Sequence, residues 1–140
     1  MKKTIDYLIN VNASVFHNLV KNIKESDDLL YIITTYKDKM DKDKEYWECL
    51  ILTYFKIRNF KKILDIYIEK MKDPEKAVNF IESLNFKEDY SHITTEITGV
   101  NSRDSLYKYL QEIIENSAWL SSSKKFYFIN IFHDVVILIT

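Results

Sequence analysis

One glycine, Gly99, and one proline, Pro74, are all that this chain of 140 residues contains of either type. Tight β-hairpins need residues that tolerate positive φ, and phosphate-cradling loops need glycine so that a ligand can approach the main chain. A chain so poor in both is expected to build its fold from helices joined by polar turns and to lack a phosphate cradle. Hydrophobic residues make up 46% and charged residues 29%, which is enough apolar surface for a core and too much for disorder.

The clearest helices lie in residues 45–84. Trp47, Leu50, Ile51, Tyr54 and Phe55 recur at the i, i+3, i+4, i+7, i+8 spacing of one helical face, which predicts a buried stripe with Trp47 in the core. After a short turn at Arg58 and Asn59, the pattern returns in Phe60, Ile63, Leu64, Tyr67, Ile68 and Met71. So short a connection predicts an antiparallel αα-hairpin. Asp73, Pro74 and Glu75 then form a helix start: a carboxylate that can accept from open N–H groups, a ring that fits the first helical position, and an acid at the positive end of the dipole. The helix they open has Ala77, Val78, Ile81 and Leu84 on its inner face.

Elsewhere a short helix is predicted over residues 3–11 with Ile5, Leu8 and Ile9. Ser14 is placed to cap a second, striped by Val15, Phe16, Leu19, Val20 and Ile23, and Ser26 or Asp27 restarts a third through Leu29, Leu30, Ile32, Ile33, Tyr36 and Met40. Residues 37–44, KDKMDKDK, balance their charges and read as a solvated helix end and turn. A weaker helix is predicted over 87–98, with Tyr90, Ile93 and Ile97 inward and Gly99 as its αL cap. Ser102 is placed to cap another, with Leu106, Tyr109, Leu110, Ile113 and Ile114 along one face. Residues 124–140, KKFYFINIFHDVVILIT, are apolar nearly all round. They are taken as a helix, because no other strand is evident to pair with them, and such a helix needs cover from a neighbour or a partner.

Helix pairs starting near Ser14, Lys44, Pro74 and Ser102 give a period of about 30 residues, in the range of helical-hairpin repeats. The expected fold is all-α: antiparallel helical hairpins stacked as a short α-solenoid, residues 1–140 forming a single helical domain or a segment of a longer solenoid. A compact helical bundle is the alternative.

The residues that usually carry chemistry are scattered. The formal net charge is −1, without the basic excess that neutralises nucleic-acid phosphates, so no nucleic-acid partner is expected. Cys49 stands alone, which points to a reducing, cytoplasmic setting without disulfides or a thiolate metal cluster. It lies in an amphipathic helix, where a small buried residue is the ordinary explanation. His17, His92 and His133 lack a second ligand at metal-binding spacing. The pairs Asp27-Asp28 and Glu88-Asp89 fall at helix starts, where the dipole accounts for them. No apolar run reaches the ~20 residues that span a bilayer. No catalytic residue, metal or cofactor is expected, and the chain reads as a non-enzyme. The candidate partner-binding residues are Trp119, beside a serine turn, and Phe126, Phe128, Ile131, Phe132, Val135 and Leu138 in the last helix.

Residues 50–84, LILTYFKIRNFKKILDIYIEKMKDPEKAVNFIESL, resemble the clathrin-heavy-chain-type helical repeats of vacuolar protein sorting subunits, the class C core and its relatives in the HOPS and CORVET tethering complexes. The likeness lies in a helix pair ending in a charged turn, the opening Lys72-Asp73-Pro74-Glu75-Lys76-Ala77, and Asn79-Phe80-Ile81-Glu82-Ser83-Leu84 with an Asn-Phe turn after it. Tyr90 and residues 104–114 fall where such proteins continue with another helix pair. The resemblance implies a scaffold that binds other protein subunits and meets endosomal or vacuolar membranes only through its complex. Those subunits are much longer, with a propeller and often a zinc-binding RING, and this chain has neither the length nor the cysteines. The resemblance therefore implies a solenoid segment or a reduced relative. The rival reading is a compact viral Bcl-2-like factor that takes a partner helix in a groove, although the glycine-containing groove motif of such folds is missing.

Overall fold

The computed structural model describes residues 1–84 and 103–139, the side chains of residues 103, 104 and 132–139 excepted. All regular structure among them is helical, so the class is all-α. Contacts gather into two compact units, Met1–Asn59 and Phe60–Thr140, and the boundary falls in the turn after Arg58. The helix predicted over 87–98 and its cap at Gly99 lie outside the described residues.

The first unit contains α1 (Lys2–Leu8), α2 (Ala13–Asn22), α3 (Ser26–Lys42) and α4 (Trp47–Lys56), with a short 3-10 turn at Lys44–Tyr46. Asn12, rather than Ser14, caps α2: its side chain accepts from the Val15 N–H at 2.8 Å. α4 packs against both α2 and α3, and its burial comes from having neighbours on two sides. Leu50, Ile51 and Tyr54 are buried as their stripe predicts, but so are Cys49, Thr53 and Ile57 outside it, while Trp47 and Phe55 are only half-buried. Trp47 instead keeps one edge near solvent and donates its Nε1–H to the Asp41 carbonyl at 2.9 Å. Full burial of each large apolar side chain contributes roughly 1.5–3 kcal/mol, and α4 contributes Leu50, Ile51 and Tyr54 to the core of this unit alongside Leu29, Ile32 and Met40 of α3. Thr53 is tolerated in that setting because its hydroxyl donates to the Cys49 carbonyl at 2.8 Å.

Lys56 closes the end of α2. Its Nζ donates to the carbonyls of Val20, Lys21 and Ile23 at 2.7, 2.9 and 2.5 Å, satisfying acceptors that a helix C-terminus leaves open and placing a cation at the negative end of the dipole. Burial lowers the pKa of this ammonium. α1 is fastened by Ile5 and Ile9, both fully buried, and by the Tyr46 hydroxyl, which donates to the Ile9 carbonyl at 2.6 Å.

The second unit contains α5 (Phe60–Asp65), continued by a π-turn at Ile66–Lys70, then α6 (Pro74–Ser83), α7 (Arg103–Asn116) and α8 (Ser122–Ile139). α7 packs on α5, α6 and α8. In the π-turn, the Met71 N–H donates to the Ile66 carbonyl at 2.9 Å and the Asp73 N–H to the Tyr67 carbonyl at 2.8 Å. The extra residue in that turn shifts the register of the side chains beyond it. Ile66 is buried together with Ile68, and Tyr67 and Met71 stay half-buried, which a regular 3.6-residue period does not anticipate. α6 starts as predicted, with Pro74 in its first turn and the Asp73 carboxylate accepting from the Lys76 N–H at 3.2 Å.

The turns after α4 and after the π-turn each hold a cation in the left-handed region, Arg58 (φ 62°) and Lys72 (φ 55°). Glycine would adopt it freely; a residue with a Cβ is strained there by about 1 kcal/mol. Around Arg58 the Asn59 N–H reaches the Tyr54 carbonyl at 2.9 Å and the Arg58 N–H the Phe55 carbonyl at 3.1 Å, the bonding pattern that closes an αL-capped helix.

Candidate functional site

The predicted partner-binding residues belong to the second unit, on the turn after α7 and on α8. The turn is shaped by Ser117, which is buried at 1% exposure. Its Oγ lies 2.8 Å from Glu69 Oε1 and 2.7 Å from the Ile113 carbonyl oxygen, so a single hydroxyl hydrogen serves two acceptors. Trp119, two residues on, is half-buried, with the Lys72 ammonium 5.9 Å from its ring centroid. Its indole N–H is buried and finds no acceptor among the described residues. Ser121 then supports the start of α8, accepting from the Lys124 N–H at its Oγ (3.4 Å) and from the Lys125 N–H at its carbonyl (2.9 Å). Lys125 turns back, and its Nζ donates to the Glu115 carbonyl at 3.2 Å, at the carboxyl end of α7.

Beyond this turn the helix presents aromatic rings to solvent. Phe126 is 69% and Tyr127 62% exposed, while Phe128 and Ile131 are half-buried. The Tyr127 and Phe128 rings meet edge to face with centroids 5.4 Å apart. The α8 backbone continues through Phe132, Val135 and Leu138, whose side chains lie outside the described residues, as does that of His133. Tyr127 is not among the residues singled out from sequence, although it sits inside the same KKFYF string. A helix that is apolar on nearly every face gives no periodic signal to say which side faces water.

Two polar clusters appear that no motif announces. On the first unit the Asp6 carboxylate accepts from the hydroxyls of Tyr36 and of Tyr31, the latter at 2.7 Å. These bonds, Tyr36 first, hold the Asp6 carboxyl below its ordinary pKa. The Tyr36 phenol is pushed up to about 12 by the same contact. On the second unit the Tyr109 hydroxyl donates to Asp65 at 2.7 Å, and the Lys61 ammonium stands 5.1 Å from the Tyr109 ring centroid. Here burial outweighs the bond and raises the pKa of Asp65. Both clusters tie helices that are far apart in sequence, and both work as fastenings.

Cys49 is buried at 1% exposure and donates to the Ala13 carbonyl at 3.3 Å. Burial pushes its thiol up to about 11, the reverse of what a reactive thiolate requires. His17 is half-buried on α2, and His92 lies outside the described residues. Among the described residues no group of His, Cys, Asp and Glu could hold a metal ion, and no helix is long and apolar enough to cross a membrane.

Comparison with protein-family models, with curated proteins and with solved structures finds no match to this chain.

Proposed function

We propose that this chain is a helical scaffold that acts by binding another protein rather than by catalysis, and that α8 is its docking element. The observation that carries this reading is the pair Phe126 and Tyr127, large rings held in water on a helix that is itself anchored to α7. Aromatic side chains of this kind are the usual anchors of protein interfaces, since they bury much area while losing little rotamer freedom. Two further supports come from the sequence: the likeness of residues 50–84 to tethering-complex repeats, and the apolar run of 124–140. Together they favour a scaffold subunit of an endosomal or vacuolar tethering assembly, reaching the membrane through its partners.

The test is association with the helical class C subunits of such a complex, followed by size-exclusion chromatography with light scattering. The wild-type chain is expected to co-elute with one of them. A double variant, Phe126→Asp with Tyr127→Asp, is expected to elute alone with an unchanged thermal melting curve, because exposed residues contribute little to folding. Co-elution of both proteins would remove α8 as the docking element. Failure of the wild type to associate with any class C subunit would remove the tethering assignment.

A further inference from the structure

We infer that the two compact units are two copies of one helical repeat, each opened by the same lock, which goes beyond the docking role of α8 and does not depend on it. The first unit begins Met1-Lys2-Lys3-Thr4-Ile5-Asp6-Tyr7-Leu8-Ile9-Asn10, and the second begins Phe60-Lys61-Lys62-Ile63-Leu64-Asp65-Ile66-Tyr67-Ile68-Glu69. Laid together, the strings share both lysines, the aspartate and the isoleucine three residues after it. In a chain rich in Lys and Ile so short a match carries little weight by itself. The contacts made by the matching residues carry the inference.

The apolar residues one before and three after the aspartate are fully buried in both strings, Ile5 and Ile9 in the first, Leu64 and Ile68 in the second. Each aspartate accepts from a tyrosine at 2.7 Å, Asp6 from Tyr31 and Asp65 from Tyr109. The lysine four residues before the aspartate stands over the ring of that same tyrosine, Lys2 Nζ 5.2 Å from the Tyr31 centroid and Lys61 Nζ 5.1 Å from that of Tyr109. The residue four after the aspartate accepts from a side chain eight positions beyond the tyrosine, Asn10 from Lys39 and Glu69 from Ser117. Burying apolar residues four apart is what any packed helix does. It does not dictate a lysine, a carboxylate, a phenol and a second donor at the same offsets on two pairs of helices.

The likeness continues into the next helix. α2 and α6 are both 10 residues long, and each is capped by the side chain of the residue before it, Asn12 accepting from the Val15 N–H and Asp73 from the Lys76 N–H. Phe16, Val20 and Ile23 are buried in one, and Ala77, Ile81 and Leu84 are buried at the same positions of the other. Both helices end on an extended residue, Ile23 or Leu84, whose N–H reaches back to the Val20 or Ile81 carbonyl. The copies differ by insertion and by one side chain. Only Val11 separates Asn10 from Asn12, whereas Lys70, Met71 and Lys72 separate Glu69 from Asp73; the π-turn and the left-handed Lys72 take up the additional residues. Between its second and third matching helices the second unit also carries residues 85–102, which lie outside the described residues. Where the first unit has Tyr36, five positions after Tyr31, the second has the buried Ile114, five after Tyr109, so Asp65 receives one phenol and Asp6 two. A scaffold of this kind is built by repetition, each unit closing its own first helix.

If the units are copies, the opening string of the second can replace that of the first. The experiment grafts residues 61–69 onto residues 2–10 of the full chain through Thr4→Ile, Ile5→Leu, Tyr7→Ile, Leu8→Tyr and Asn10→Glu, and follows thermal unfolding by circular dichroism. The graft keeps a lysine, two apolar residues, an aspartate and an acceptor at the lock positions, and its melting temperature is expected within about 4 °C of the wild type. A control of the same composition reverses the order of the five introduced residues through Thr4→Glu, Ile5→Tyr, Tyr7→Ile and Asn10→Ile, with Leu8 kept. It crowds the buried site of Ile5 and removes the acceptor that faces Lys39, and is expected to lose about 10 °C or more. A graft that melts as low as the control would overturn the inference, since the second string would then not fit the seat of the first. A control that melts with the wild type would overturn it as well, since no lock would then be holding α1. Either failure leaves the association test of Phe126 and Tyr127 unaffected.

Discussion

Each unit of this protein carries an aspartate that accepts a tyrosine hydroxyl, and the two titrate in opposite directions. Asp6, partly exposed in Met1–Asn59, receives two phenols and has its pKa lowered. Asp65, in Phe60–Thr140, receives one and has its pKa raised, because burial outweighs the bond from Tyr109 and the nearby charge of Lys62. The same pair of side chains thus has opposite consequences for folding. A hydrogen bond to a carboxylate stabilises its charged form, desolvation penalises that form, and the number of donors against the depth of burial decides the sign.

The signs translate into stability through linkage. Asp6, with its pKa depressed in the folded state, contributes stability that is present above the ordinary carboxylate pKa of about 3.9 and is lost as pH falls through the lowered value. Asp65 contributes in the other sense. Its share is fully present below the ordinary value and is lost as pH rises through the raised one.

The largest effect that separates the two clusters is expected from Tyr109→Phe. It removes the single phenol from a carboxylate that is already desolvated, and stability at neutral pH is expected to fall by about 1–2 kcal/mol in urea unfolding. The deficit should shrink under acid, as Asp65 takes up a proton. Tyr31→Phe, which leaves Tyr36 in place on Asp6, is expected to produce a smaller loss. Equal losses would break the comparison.

A more moderate effect should be seen by carboxyl-carbon NMR across the acid range. The Asp6 midpoint is expected below the ordinary value and the Asp65 midpoint above it. Asp6→Asn should flatten the acid side of the stability profile, and Asp65→Asn the side approaching neutrality. Midpoints displaced in the same direction would show that burial and bonding have been weighed wrongly in one of the two units.

The smallest expected effect concerns the two left-handed turns. Lys72→Gly relieves a strained backbone at the loss of a distant cation–ring contact and is expected to raise stability by about 0.5 kcal/mol. Arg58→Gly gives up a guanidinium 4.9 Å from the Phe55 ring centroid, so its gain should be less. Chemical denaturation of both variants side by side measures the difference.

Much of the local structure is legible in the chain. Asp73 and Pro74 announce the start of α6 by their own bonding chemistry, and the structure places them there. The turn at Arg58 and Asn59, the stripe of Leu106, Leu110 and Ile114, and the helical state of residues 124–139 are readable from periodicity and from the lack of a pairing strand. Other core residues are not. Tyr107 is fully buried and Tyr46 nearly so, yet neither lies on the stripe of its helix, because what buries a side chain is the number of neighbours around a helix as well as its own pattern. The candidate site is half legible: Phe126 is found as part of an apolar run, but its exposure, and that of Tyr127, depends on where α7 leaves α8 uncovered.

The sequence by itself determined that this protein is helical and where most of its helices start and stop, because capping, proline placement and the scarcity of glycine act over a few residues of chain. Only the tertiary structure decided which apolar helix became a core and which became a surface. It also made one aspartate readily ionised and the other reluctant. Those outcomes depend on groups brought together from 25 to 44 positions apart, and on the water excluded when they meet, which no local pattern encodes.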